Sequence, residues 1–123
     1  MSDPPTPPGG WRVRILDLSG ASEDNVTEEV GGFATLVEAN AFARAYVRDS
    51  VERCRVPAMS GKQVLEAWFA FGEDAEVVDA ADMAWRSAAE LHDFADRRAE
   101  PHERDWRALD PRRAGGGGEE DDA

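Results

Sequence analysis

The hydrophobic period changes twice along this chain, and that change restricts what it can fold into. Trp11, Val13 and Ile15 alternate with Arg12 and Arg14. A period of two places the apolar side chains on one face of a strand. From Leu36 the spacing becomes three and four: Leu36, Ala39, Ala43, Tyr46, Val47, Ser50 and Cys54, widened by Phe42. That is one stripe of an amphipathic helix. From Gln63 to Phe71 alternation returns, with Leu65, Ala67, Phe69 and Phe71 on one face and Val64, Glu66, Trp68 and Ala70 on the other. Such a chain is predicted to be α+β, with a small, mainly antiparallel sheet of three to four strands and helices packed on one face.

Punctuation fills in the order β-β-α-β-(β)-α. The first strand spans 11–18, and its alternation slips at Leu16-Asp17-Leu18. Ser19 to Asn25 is a polar turn region, and the second strand carries Val26, Val30 and Phe33. Gly31-Gly32 marks a bulge or a tight exit there. Thr35 and Glu38 have capping-box spacing at the start of a helix over about 35–55, and Pro57 ends it. Gly72-Glu73-Asp74 reads as a turn after a third strand over 63–71, and Ala75–Val78 as a short fourth strand. Asp79 is placed to cap a second helix over about 80–98, with Met83, Ser87, Leu91 and Phe94 as its inner stripe. Acid-first pairs four residues apart, Asp82–Arg86 and Asp93–Arg97, favour it. Pro101 opens a further short helix whose large apolar residues are Trp106 and Leu109, and Pro111 stops it.

The 123 residues suit one domain, predicted over 11–110 and helical from about 80. Residues 1–10 hold four prolines and end in Gly9-Gly10, which predicts a disordered lead. Residues 111–123 contain four consecutive glycines and then Glu119-Glu120-Asp121-Asp122, which predicts a disordered acidic tail.

The formal net charge of −12 argues against binding nucleic acid, whose phosphates an anionic surface repels. No run approaches the ~18 apolar residues of a membrane span. The N-terminus lacks the basic start and apolar middle of a secretion signal, so a cytoplasmic location is expected. Cys54 is the one cysteine, which excludes an internal disulfide and a thiolate cluster. Arginine dominates over lysine, and alanine, glycine and proline abound, as in proteins from GC-rich bacterial genomes.

Candidate sites are sparse. His92 lies near Glu90, Asp93 and Asp96, but one imidazole among scattered carboxylates falls short of a zinc set. His102 beside Pro101 reads as a surface residue. Cys54 sits between Arg53 and Arg55, which would lower a thiol pKa, yet it also continues the helix stripe and packs like a small apolar residue. Gly31-Gly32 before Thr35 lacks the pattern of a phosphate-binding loop. Neither the polar residues Ser19, Ser22, Asp24 and Asn25 nor the acids Glu73, Asp74 and Glu76 have the spacing of a calcium loop or a catalytic pair. No catalytic residue, metal, cofactor or small-molecule ligand is inferred.

The aromatic residues point elsewhere. If the Phe69 face of the third strand packs on the helices, Trp68 faces the other way, with Val64 and Ala70 beside it and Glu66, Arg12 and Arg14 at the rim. A small antiparallel sheet leaves such a face open, and exposed apolar patches mark association sites. A second arrangement closes Trp106 and Leu109 over Trp68 within the same chain. The predicted function is a non-catalytic adaptor or accessory subunit that binds a protein partner or a second copy through the open sheet face. The alternative is an acidic regulator that neutralises a basic partner, as an antitoxin or a nucleic-acid mimic does. An enzyme using Cys54 or the His92 cluster ranks last.

Overall fold

The computed structural model describes residues 5–19 and 26–113. Alternation builds the middle of the sheet. Strand β1 (Trp11–Asp17) buries Trp11, Val13 and Ile15 and leaves Arg12 and Arg14 half-exposed on the opposite face. Strands β2 (Val26–Phe33) and β3 (Glu73–Val77) pair antiparallel with β1, giving the order β2-β1-β3. The predicted slip at Leu16 is a register shift between Ile15 and Leu16. A second shift lies between Trp11 and Val13, opposite Gly31-Gly32, where Gly32 takes a φ of 91°. An L side chain is strained there, so the bulge selects glycine.

Helix α1 (Leu36–Cys54) begins where the sequence places it, with the Thr35 side chain accepting from the Glu38 N–H at 3.1 Å. Its apolar stripe lies on the sheet, and Phe42 stacks against Phe33 of β2 at 5.1 Å. α1 is more enclosed than one stripe requires, because Arg48, Asp49 and Ser50 are also buried. The rest of the chain wraps its other sides.

The segment predicted as the third strand, 63–71, is a helix. α2 (Gly61–Phe71) starts at Ser60 with a complete capping box: Ser60 Oγ accepts from Gln63 N–H, and Gln63 Oε1 accepts from Ser60 N–H. Its interior carries lysine, glutamine, leucine, glutamate and alanine, good helix formers, and one β-branched residue, Val64. Val64 and Trp68, one turn apart, are the buried pair, so the operative period is four and not two. The assignment of faces inverts accordingly. Trp68 is 1% exposed, whereas Phe69 is 58% and Phe71 76% exposed. Gly72 ends α2 tightly, and a Cβ there would collide with the Trp68 indole. The short strand expected at Ala75–Val78 is β3, so the order is ββααβ, followed by helical turns.

The single helix expected over 80–98 is broken. Short 3₁₀ turns at Ala81–Met83 and Ser87–Ala89 precede α3 (Leu91–Asp96). Asp79 and Ala81 take φ values of 65° and 51°, outside the right-handed helix, and Asp79 pairs with Arg12 instead of capping. Asn40 of α1 holds the intervening backbone extended: its amide donates to Met83 O, and its oxygen accepts from Trp85 N–H. Of the expected inner stripe, Ser87, Leu91 and Phe94 are buried and Met83 is exposed. Asp93–Arg97 forms as expected at 3.1 Å, while Arg86 donates to Ala81 O.

α3 docks on α1 through arginines. Arg48, with no exposed surface, donates to Phe94 O at 2.8 Å and Arg97 O at 2.7 Å, and lies over the Phe94 ring. Arg55 donates to Ala95 O and Phe94 O and grips Glu52 at 2.7 Å. The two guanidinium groups thus satisfy the carbonyls that α3 leaves open at its C-terminus.

Beyond α3 the chain runs as a strap of two 3₁₀ turns, Pro101–Arg104 and Trp106–Leu109, and continues to Arg113. Arg104 reaches Asp49 of α1, and Arg112 reaches Glu28 of β2. Within the lead, Gly10 N–H closes a turn onto Pro7 O, and Thr6 Oγ1 donates to Ala34 O. The lead's residues 1–4 and the tail's residues 114–123 lie outside the described residues, as do Gly20 to Asn25 of the hairpin connection.

Candidate functional site

The residues predicted to form one patch occupy three separate places. Trp68 and Val64 lie in the core, with Trp68 Nε1–H donating to Ser50 Oγ of α1 at 3.1 Å. A tryptophan under a helix with its N–H satisfied is an anchor of the fold. It does not stand on an open sheet face. Glu66 and Ala70 are exposed on the far side of α2. Arg12 and Arg14 do line the outer sheet face, but that face is charged: Arg12 meets Asp79 at 2.8 Å and Glu29 at 3.5 Å, and Arg14 meets Glu29 at 3.3 Å. Trp106 does not close over Trp68 either. It packs on Phe42 and Tyr46 of α1, at 5.9 and 4.9 Å between ring centroids. Leu109 is 40% exposed near Phe33 and Ala34.

The large exposed aromatic surface belongs to Phe69 and Phe71, at the C-terminal end of α2. Phe69 leans on Trp68 with 5.1 Å between ring centroids. Phe71 lines a cleft of about 490 Å³, shared with Asp17 and Thr27 of the β1–β2 hairpin, Arg53 and Cys54 of α1, and Glu73 of β3. Alternation over 63–71 places the two phenylalanines in the core. The Ser60-x-x-Gln63 capping box was the signal that would have exposed them.

Hydrogen bonds fix the polar wall of the cleft. Tyr46 O–H donates to Glu73 Oε1 at 2.8 Å, and Arg53 approaches the same oxygen at 3.5 Å. Burial, and then the bond to Glu73, push the Tyr46 hydroxyl above the usual phenol range. Ser50 Oγ accepts from both Trp68 Nε1–H and Glu73 N–H. Cys54 is half-buried at the cleft edge. Burial pushes its thiol up, and Arg53 only partly opposes this. A raised pKa disfavours the thiolate that nucleophilic chemistry requires.

The other sequence candidates remain apart. His92 and His102 are both exposed. Among the described residues no three His, Cys, Asp or Glu side chains converge as a metal set. Asp17 accepts from Ser19 N–H and Oγ–H, closing its own turn. Asp74 is held above the usual carboxylate range, first by burial and then by the like charge of Glu76. The start of α1 is filled by the Thr35 side chain. No helix among the described residues is long and apolar enough to cross a membrane.

No family model, curated protein or solved structure matches this chain.

Proposed function

We propose that this chain is a non-catalytic protein–protein interaction module of the bacterial cytoplasm, an adaptor or accessory subunit. The contact surface is the C-terminal end of α2, in place of the sheet face. The exposure of Phe69 and Phe71 on a helix that buries its neighbouring Trp68 carries this reading. Two phenylalanines exposed to water cost solvation free energy that a partner's apolar surface recovers, and interface centres are rich in aromatics. The adjoining cleft offers shape, and its groups Asp17, Arg53 and Glu73 supply a polar rim.

The net charge of −12 favours a second reading, an acidic regulator of a basic partner. The outer sheet face pairs its acids with Arg12 and Arg14, so the negative charge is not concentrated there.

The test is the double variant Phe69→Ser with Phe71→Ser, compared with wild type by affinity capture from the native cell. The folded chain should lose less than about 1 kcal/mol, as surface substitutions do. Retention of the partner should fall by about thirtyfold, the scale of a hot-spot loss of about 2 kcal/mol. Equal retention by both proteins, or no protein retained by wild type, would remove α2 as the contact surface. A partner released by salt alone, regardless of the phenylalanines, would favour the acidic-regulator reading.

A further inference from the structure

The outer face of α2 differs from the rest of the molecule in its charge. The helix packs on α1 and α3 and buries Val64 and Trp68. Its opposite face carries Lys62, Glu66 and Phe69, spaced by four and three residues and all exposed. Lys62 is the single lysine of the chain and Glu66 the single acid of α2, so this helix has no net charge on a protein of −12. Among the described residues neither side chain enters an ion pair, although one turn separates them. Their order, cation first, is the poorer one for pairing within a helix. A lysine and a glutamate thus stand without partners beside a phenylalanine that is 58% exposed.

Two copies of a strongly anionic protein repel each other, with a screening length of about 8 Å at physiological salt. An uncharged face is where such copies meet at the lowest cost, and interface centres are poor in charge. The pattern on α2 is also self-complementary. When two α2 helices cross antiparallel about a two-fold axis at the level of Val64, Lys62 of each copy lies opposite Glu66 of the other. The symmetry makes that contact twice. The same register carries each Phe69 to the turn before the second copy's α2, where Val56 is 52% exposed and Met59 half-buried. An aromatic ring then covers aliphatic surface at both ends, with opposite charges between.

We propose that the occupant of the α2 surface is a second copy of this chain, bound antiparallel through Lys62, Glu66 and Phe69. This rests on the reading of α2 as the contact surface and adds which partner it takes. The eleven residues of α2 span about 16 Å, so the interface is small and the dimer transient.

Sedimentation velocity of the full chain from about 10 µM to about 1 mM should show 13.5 kDa monomers passing into dimers as concentration rises. Lys62→Glu and Glu66→Lys should each raise the dissociation constant at least about tenfold, because each turns two attractions into two repulsions. Mixed in equal amounts, the two variants should associate as well as wild type, since both contacts between them are again opposite in sign. The double variant Lys62→Glu with Glu66→Lys should do the same alone. Net charge does not mimic this pattern: Glu66→Lys lowers the overall repulsion and on that ground would tighten the dimer. Phe69→Ser should weaken it. Single charge variants that dimerise like wild type, or a mixture that stays monomeric, overturn the proposal. A wild type that stays monomeric also overturns it, while loss of a captured protein with the Phe69 and Phe71 variant would keep α2 as a surface for a different partner. A dimer indifferent to these charges and to Phe69 places self-association elsewhere and overturns it, and the capture experiment then decides the contact surface by itself.

Discussion

The two sides of α1 are held by different physics. Toward the sheet and α2 it meets Val13, Ile15, Val64 and Trp68, all without appreciable exposure. Toward α3 and the strap it works through Arg44, Arg48, Asp49 and Arg55, which bond partners 40 to 57 residues further on. The first side is non-directional burial, insensitive to salt and pH. The second is a set of charge-assisted hydrogen bonds whose strength depends on both. One helix thus carries a permanent core and, on its back, attachments that solution conditions tune.

The apolar side predicts the largest effect. Trp68→Ala should destabilise by about 3–5 kcal/mol, since a fully buried aromatic leaves a cavity and Ser50 loses a donor. Phe69→Ala, at the next position, should cost less than about 1 kcal/mol. Denaturant midpoints of the two variants measure this, and similar costs would mean that α2 is turned the other way. The contrast is sharp because the two residues differ in burial and in little else.

The charged side predicts a smaller, pH-dependent effect. The bonds from Arg44 to Glu90, at 2.6 and 2.8 Å, hold that carboxyl below the usual glutamate range. Trp85 Nε1–H adds a third at 2.7 Å. The folded pKa is lower than the unfolded one. The stability is therefore present above the unfolded value and lost as pH falls through the folded one. Glu90→Gln should cost about 1 kcal/mol at neutral pH and nothing at the acid end of that window. Unfolding midpoints measured from neutral to acid pH would show it, and a loss independent of pH would place the contribution in packing.

The same division explains what could be read from the sequence. β1, β2 and α1 are local patterns, so Trp11-Val13-Ile15 and Leu36-to-Cys54 declare their faces to anyone counting spacings. In 61–71 two periods compete. Leu65, Ala67, Phe69 and Phe71 alternate, but Val64 and Trp68 recur at four, and the cap at Ser60 decides for the helix. Two exposed phenylalanines made the wrong period look apolar. The charged side was closed to local reading. Asp49 pairs with Arg53, four positions on, at 3.3 Å, but its bonds to Arg104 and Trp106 span 55 and 57 positions. The break at 79–86 was hidden too, because it rests on Asn40 and on the backbone angles of Asp79 and Ala81. Of the candidate site, alternation singles out Trp68 but gives it the wrong face, and it places Phe69 and Phe71 inside.

Native-state hydrogen exchange at two ionic strengths tests the central division most directly. Amides of β1, α1 and α2 should exchange through global unfolding and keep their protection when salt rises from about 0.1 M to about 1 M, where the screening length drops to about 3 Å. Amides of 101–113 should exchange faster at the lower salt already and lose further protection at the higher. Uniform protection across both regions, unchanged by salt, would contradict the division and make the strap part of the core.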